Sequence, residues 1–321
     1  MNDVSTALKA LKEGRLIGLP TETVYGLAAP ADSSEMIKKI FSLKERPFYD
    51  PLILHVSSVA MAKRYVNNWC PVAQLLADNF WPGPLTLILE KQEHVDDLIT
   101  AGLKSVGVRA PHSTLSLQLI EELGAALAAP SANKFTKTSP SCAEHVRQSF
   151  DAADVFVLDG GACKVGIEST IVSLLRLAQE NIIEILRPGM ITSQEIMAVI
   201  PKTIKIQKGS NAYEKKAARL APGLETVHYR PEFPCGVVNE SRLSAVLSLG
   251  KNYEHIRLDL DPSVTARVVY SLLRKELDRK YDGRYFVLNL NEQVESGLQN
   301  QQMWQSILDR LLKASTLPCF L

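Results

Sequence analysis

No stretch of this chain approaches the ~18 apolar residues that a membrane-spanning helix needs. The opening residues, Met1-Asn2-Asp3-Val4-Ser5, lack both the basic head and the apolar segment of a secretory leader. Together these absences set the expectation of a cytoplasmic protein with no membrane partner. Cysteine is scarce: Cys70, Cys142, Cys163, Cys235 and Cys319 are odd in number, scattered and form no Cys-x-x-Cys pair. That pattern argues against a disulfide framework or a structural zinc site and fits a reducing compartment. Charge of one sign is also missing, with 36 Lys+Arg against 35 Asp+Glu, so no global basic field advertises nucleic acid. Several catalytic signatures are missing too. The chain carries no P-loop and no GxGxxG dinucleotide turn, and it lacks a GxSxG elbow and an HExxH helix.

What remains is an ordinary globular composition, 46% hydrophobic and 22% charged. Its 321 residues suggest two domains. Val4, Leu8 and Leu11 share one side of a short helix that Gly14 stops. The apolar run Leu16-Ile17-Gly18-Leu19 reads as a buried strand and leads into Pro20-Thr21-Glu22-Thr23-Val24-Tyr25-Gly26-Leu27. Buried hydroxyls and a carboxylate need partners. This stretch is therefore either a turn presenting Thr21, Glu22, Thr23 and Tyr25 to a ligand or an ordinary polar strand-to-helix connection. Asp32-Ser33-Ser34-Glu35 has the form of a capping box for a helix that Pro47 ends. Lys44 and Arg46 then sit at its C-terminal end, either complementing the helix dipole or holding an anion.

Further strands are expected at Pro51–Val56, Leu85–Leu89, Ser105–Arg109, Ala125–Ala129, Val155–Leu158, Ile171–Leu174, Ile182–Leu186 and Lys202–Ile206. Helices are expected at Val59–Val66, Val72–Phe80 and Thr114–Leu123, near Ser141, and at Ser193–Ile200. They do not separate every strand pair, so the fold expected for residues 1–208 is a large α/β domain on a twisted mixed sheet. Apolar periodicity disappears between Lys208 and Pro234, which marks residues 209–235 as an ordered linker with Lys215, Lys216, Arg219 and His228-Tyr229-Arg230-Pro231. Residues 236–321 alternate strand and helix and imply a small Rossmann-like three-stranded parallel sheet with covering helices. The terminal Leu317-Pro318-Cys319-Phe320-Leu321 has no assignment from sequence.

Chemistry-bearing residues recur at element ends in the first domain: Thr23, Lys44, Arg46, His55, Arg109, Ser131, Asn133, Ser169, Thr170 and Arg187. Ligand crevices of open α/β sheets form outside the carboxyl ends of strands, so one shared cleft is expected. Lys44, Arg46, Arg109 and Arg187, with few carboxylates between them, imply an anionic ligand. Ser131 and Ser169 have no evident His–Asp escort, which argues against a serine nucleophile. A cationic cleft without a nucleophile suits chemistry done by positioning and charge stabilisation, such as phosphoryl or nucleotidyl transfer. The residues alone give an anion or nucleotide site without a reaction.

An ordered series of motifs supplies one. Pro20-Thr21-Glu22-Thr23-Val24-Tyr25-Gly26-Leu27, Lys44-Glu45-Arg46-Pro47, Asp50-Pro51-Leu52, Trp81-Pro82-Gly83-Pro84-Leu85-Thr86, Val108-Arg109, Ala129-Pro130-Ser131-Ala132-Asn133, Ser139-Pro140, Gly166-Ile167-Glu168-Ser169-Thr170 and Arg187-Pro188-Gly189 resemble the YrdC/TsaC family in its long form. Those are the threonylcarbamoyl-AMP synthases with an extra C-terminal domain. Pro222-Gly223, His228-Tyr229-Arg230-Pro231, Leu273-Arg274 and Arg310-Leu311 echo the long form more weakly. The resemblance implies a cytoplasmic nucleotidyltransferase that condenses L-threonine, bicarbonate or CO2 and ATP into threonylcarbamoyl-adenylate and pyrophosphate, with Mg2+ present. A partner transferase would then carry the threonylcarbamoyl group to tRNA, making threonylcarbamoyladenosine beside the anticodon, and a direct tRNA contact is possible. It implies ATP binding by Lys44, Arg46, Asp50, Ser105, Asn133, Ser141, Arg187 and Tyr229, with Lys44 and Arg46 catalytic. Threonine would be held by Thr23, His55, Arg109, Ser131 and Ser169, with Arg109 on its carboxylate. No protein metal ligands are implied, the Mg2+ arriving on the ATP phosphates. The linker with Tyr229 would close over the cleft as a lid.

The chain departs from the family where its linker reads Ala221-Pro222-Gly223-Leu224 and His228-Tyr229-Arg230-Pro231, Arg230 standing where a small residue is usual. It departs again in the loop Phe135-Thr136-Lys137, where relatives often have a glycine near Thr136. Lys134 and Lys137 there are candidates for phosphate or tRNA contacts. The competing reading is a double-stranded-RNA-binding module of the same fold, which the balanced charge and sparse aromatics disfavour. A carbamoyl-adenylating domain with another acceptor is a third, but carbamoyltransferase maturation factors should carry acylphosphatase and zinc-finger modules that this chain lacks.

Overall fold

The computed structural model of the chain describes residues 3–209, 222, 228–259, 261–289 and 298–321. Lys215, Lys216, Arg219 and most of Ala221-Pro222-Gly223-Leu224 lie outside the described residues. The first domain carries strands β1 (Leu16–Leu19), β2 (Gly26–Pro30), β3 (Ile53–His55), β4 (Leu85–Glu90), β5 (Ser105–Arg109), β6 (Leu127–Ala128), β7 (Val155–Val157), β8 (Thr170–Ser173), β9 (Ile182–Arg187) and β10 (Lys205–Lys208). They form one ten-stranded mixed sheet in the order β10-β9-β8-β4-β5-β3-β6-β2-β1-β7. The second domain carries β11 (Cys235–Asn239), β12 (Tyr253–Arg257) and β13 (Gly283–Leu288), all parallel in the order β11-β13-β12. Both sheets match the architecture read from the sequence.

Local chemistry explains the element boundaries. The helix Val4–Lys12 starts where the Asp3 carboxylate accepts from the Thr6 N–H, and the helix Thr114–Leu123 ends on Gly124 in the left-handed region. Two expectations need correction. The N-cap of the helix Ser34–Lys44 is Ser33, accepting from Met36 N, so the residue three positions on is Met36 and the Asp32–Glu35 capping box does not form. The stretch after β1 is not a strand-to-helix connection. It is the loop of a hairpin, because Gly26–Pro30 returns antiparallel to β1 with Leu19 opposite Gly26. A run of small residues, Gly26-Leu27-Ala28-Ala29-Pro30, hid this strand from propensity. The short helices Asp97–Thr100 and Leu177–Glu180 went unread for a similar reason, one turn being too short to show a period.

The C-terminal tail acquires a role. Phe320 N donates to Val237 O, Asn239 N donates to Phe320 O, and the Tyr285 hydroxyl donates to Pro318 O. The tail therefore covers the open edge of β11, where unpaired backbone groups would otherwise invite association. The two domains share apolar packing, since Val24 and Ile167 of the first are buried in one cluster with Tyr229, Ala266, Tyr270 and Ile307. Contact is close enough that a Cβ on Gly166, whose φ is +83°, would lie 2.3 Å from the Ala266 carbonyl oxygen.

Candidate active site

Strand directions bring the end-of-element residues together. β3 and β5 are parallel, β4 is antiparallel to β5, β8 is parallel to β4, and β9 is antiparallel to β8. The carboxyl ends of β3, β5 and β9 and the amino end of β8 consequently share one edge, carrying His55, Arg109, Arg187 and Ser169. A cleft at this edge is lined by Thr23, Arg46, His55, Arg109, Ser131, Ser169, Arg187 and Tyr229 of the sequence-derived set. Lys44, Asp50, Ser105, Asn133 and Ser141 are not among its lining residues. Glu168, Pro222 and His228 line it as well.

The polar hairpin loop is buried throughout, and each group in it has a partner. Glu22 forms an ion pair of 2.7 Å with Arg109, both side chains 5% exposed or less. Glu22 also accepts from the His112 N–H at 2.9 Å. Arg109 donates to the Thr23 hydroxyl at 2.9 Å and to Gly83 O at 3.1 Å. Tyr25 ties the loop to Asp159-Gly160-Gly161, its hydroxyl donating to Gly161 O and accepting from Gly160 N. Burial pushes that phenol up. Glu22 and Tyr25 thus position the loop, while Thr23 faces the cleft.

Lys44 is neither a surface helix-end cation nor a cleft-lining one. Its side chain is buried, and its ammonium donates to the carbonyl oxygens of Ser131 and Asn133. Burial, then the neighbouring Arg46, drives its pKa well below the usual lysine range. Arg46 bonds Asp50 O at 3.1 Å and Pro51 O at 2.9 Å and pairs with the Asp50 carboxylate at 2.9 Å. Asn133 donates to Lys134 O and Lys137 O, fixing the basic loop. Ser105 opens β5 opposite Glu90, and Ser141 lies against His145 and Ser271.

Arg187 donates to Ser169 O and Oγ, each at 3.1 Å, and to Pro222 O at 3.1 Å. Ser169 Oγ also meets Thr86 Oγ1 at 2.8 Å. Beside them the Glu168 carboxylate accepts from Ser139 Oγ and Tyr270 OH at 2.7 Å each and from Arg310 Nε at 3.3 Å. Burial raises the Glu168 carboxyl, but Arg310, Arg187 and the two hydroxyls outweigh it and hold it at about 2. Burial, then Arg109, takes His55 down to about 3, and burial does the same to His228. Both imidazoles are therefore neutral at neutral pH and act as hydrogen-bonding groups.

One expectation about charge is corrected here. Carboxylates do interleave with the cations: Glu22, Asp50 and Glu168 face Arg46, Arg109, Arg187 and Arg310. These four guanidinium groups outnumber the three carboxylates, which still suits an anion. The sequence reading missed Glu168 and His228 as cleft residues, although both lie inside motifs it singled out. The roof over the cleft consists of Pro222, His228 and Tyr229. Tyr229 O accepts from Thr138 Oγ1, Arg230 N donates to Thr136 O, and the Tyr229 ring stacks on Tyr270 with centroids 5.5 Å apart. Beneath the roof the cavity is about 50 Å3, room for a few waters and well below the ~300 Å3 of a small-molecule pocket.

Known proteins share these features. Residues 9–189 match the Sua5/YciO/YrdC family, whose description is "Telomere recombination". Residues 191–316 match the domain described as "Threonylcarbamoyl-AMP synthase, C-terminal domain". A Bacillus subtilis protein named threonylcarbamoyl-AMP synthase is 38% identical over 239 residues, covering 74% of this chain and 67% of the relative. One of the same name from Pyrococcus abyssi is 40% identical over 232 residues, covering 72% and 66%. The aligned segments therefore span about two thirds of those relatives' length. The crystal structure of P. abyssi Sua5 complexed with L-threonine superposes with a TM-score of 0.84 at 32% identity, over 99% of this chain and 95% of that one. With both of its halves matched in order, this chain belongs to the Sua5/YciO/YrdC family in the form that carries the additional C-terminal domain.

Proposed function

We propose that the protein is a threonylcarbamoyl-AMP synthase, a nucleotidyltransferase that joins L-threonine, bicarbonate or CO2 and ATP and releases pyrophosphate. The observation that carries this reading is the convergence of Thr23, His55, Arg109, Ser131 and Ser169 with Arg46, Arg187 and Tyr229 in one cleft. The similarity to named synthases over most of the chain supports it.

In this reading threonine lies along Thr23, His55, Ser131 and Ser169, with its carboxylate on Arg109. Glu22 and Gly83 O hold that guanidinium in place, so little side-chain freedom is lost on binding. A neutral His55 leaves the amino side of the substrate free of repulsion. ATP meets Arg46, Arg187 and Tyr229, with Lys44, Asp50, Ser105, Asn133 and Ser141 shaping the loops behind them. The threonine amine adds to CO2, or to bicarbonate with loss of water, and gives up a proton to form the carbamate N-carboxythreonine. A carbamate oxygen then attacks the α-phosphorus as the bond from that phosphorus to the bridging oxygen of the β-phosphate breaks. Charge grows on the phosphoryl oxygens and the leaving pyrophosphate, where the guanidinium groups offset it. No covalent enzyme intermediate is needed. Pro222, His228 and Tyr229 cover the cleft and keep water from a labile carbamate.

Among the described residues no three His, Cys, Asp or Glu side chains converge as a metal cage. In this reading Mg2+ arrives on the ATP phosphates as part of that substrate. Among the described residues no helix is long and apolar enough to cross a membrane. The product would pass to a partner transferase that modifies tRNA beside the anticodon. The test is pyrophosphate release from Mg–ATP with threonine and bicarbonate omitted in turn. Release should need both, and release indifferent to threonine would overturn the assignment.

A further inference from the structure

The helix Leu298–Ala314 and the helix Pro262–Arg274 belong to the C-terminal domain, yet both place fully buried polar side chains against the candidate site. Arg310, 0% exposed, contacts Glu168 at 3.3 Å and donates to Pro188 O at 2.7 Å. Tyr270, also 0% exposed, donates its hydroxyl to Glu168 at 2.7 Å. Ser306 Oγ adds a bond to Gly189 O at 2.9 Å. Glu168 precedes Ser169, and Pro188 follows Arg187. The second domain therefore holds both flanks of the Ser169–Arg187 pair.

A buried guanidinium–carboxylate contact is costly to assemble and rarely adds net stability over an apolar substitute, so its presence at this boundary asks for another reason. Charge provides one. Glu168 lies close enough to Arg187 to act on it electrostatically. Without Arg310, Arg187 would be left as the cation acting on Glu168, and among the described residues Arg187 now bonds to uncharged oxygens. Paired with Glu168, Arg187 would turn from Ser169 and lose its attraction for an incoming anion.

We propose that Arg310 and Tyr270 are positioning residues for the Ser169–Arg187 pair, Arg310 neutralising Glu168 so that the Arg187 charge is left for the phosphates of ATP. This inference rests on the reading that Arg187 meets ATP. It gives the C-terminal domain a task in substrate binding distinct from that of the linker.

The test is ATP affinity by titration calorimetry on the full chain, with melting temperatures recorded for every variant. Arg310→Gln should weaken ATP binding at least tenfold, whereas Glu168→Gln with Arg310→Gln should restore it to within threefold of the parent chain. Arg310→Lys should lie nearer the parent than Arg310→Gln. A folded Arg310→Gln that binds ATP within threefold of the parent overturns the proposal. So does a double variant as weak as the single one, which is the pattern of a purely structural role. If Arg310→Gln does not fold, the double variant is compared with Glu168→Gln alone, and tenfold weaker binding by the double variant overturns it. Failure of the parent chain to bind ATP or release pyrophosphate would instead count against the synthase reading.

Discussion

Removing the Glu22 carboxylate should expose how much of the site rests on a single buried ion pair. Glu22 and Arg109 meet at 2.7 Å with side chains 4% and 5% exposed. Truncating one partner of such a pair leaves a buried charge without compensation, a loss of about 3–5 kcal/mol. Glu22→Ala also strips the acceptor from the His112 N–H, for about 1 kcal/mol more. A domain of this size loses roughly 2–4 °C of melting temperature per kcal/mol, so Glu22→Ala should melt roughly 8–24 °C lower. Removing both charges, as Glu22→Gln with Arg109→Gln, should cost much less than the two single changes added together. Urea denaturation followed by tryptophan fluorescence can report the cycle, since Trp69 and Trp81 lie in the first domain. A coupling energy of at least ~2 kcal/mol is expected for partners in contact. A coupling below about 0.5 kcal/mol, or a melting point within about 2 °C of the parent for Glu22→Ala, would refute the claim that the pair holds the loop.

Other outcomes follow from the same geometry. Lys44→Ala leaves the Asn133 carbonyl without its buried donor, at ~1–3 kcal/mol, and the Ser131 carbonyl with the Asn133 N–H in its place. It should lower the melting temperature by several degrees as well as activity, and an unchanged melt would contradict the bridging role. Gly189→Ala sets a Cβ 2.4 Å from Thr170 N, which should part β9 from β8 and cut turnover at least tenfold in the pyrophosphate assay. Parent-level activity would show that the strands tolerate the shift. Acidification should destabilise the protein. His55 and His228 stay neutral to about 3 when folded but take up a proton near 6.5 when unfolded. Their stabilising effect is thus complete above 6.5 and drains away as the pH falls towards 3, by about 2 kcal/mol each between pH 7 and 5. Glu168, held at about 2, loses its contribution only below about 4.5, outside that window. His145, which burial and Arg274 lower to about 4, loses stability in the same window, so melting curves at the two pH values should differ by several degrees and His228→Asn should remove a third to a half of the difference. Coincident curves would contradict the buried neutral state.

Much of the fold was legible because its signals are local. Ser105–Arg109 and Thr114–Leu123 form where they are expected, and the strict alternation after residue 235 foretold the parallel three-stranded sheet. β2 was not legible, since its small residues follow a polar loop that looks like a connection and its strand character comes from pairing with β1 and β6. The site shows the same division. His55, Arg109, Ser169 and Arg187 could be placed in one cleft from strand ends alone. What each side chain binds could not be read, because the partners lie far off in sequence. Arg109 meets Glu22 across 87 positions, and Glu168 meets Arg310 across 142. The sequence therefore exposes the cations and conceals the carboxylates that hold them.

The most direct measurement of the central claim is mass spectrometry of the adenylate formed from Mg–ATP, threonine and isotopically labelled bicarbonate. The account requires a species that contains AMP, threonine and one labelled carbon, formed in equal amount to pyrophosphate and lost when threonine is omitted. ADP with inorganic phosphate, or pyrophosphate without a labelled adenylate, would contradict it.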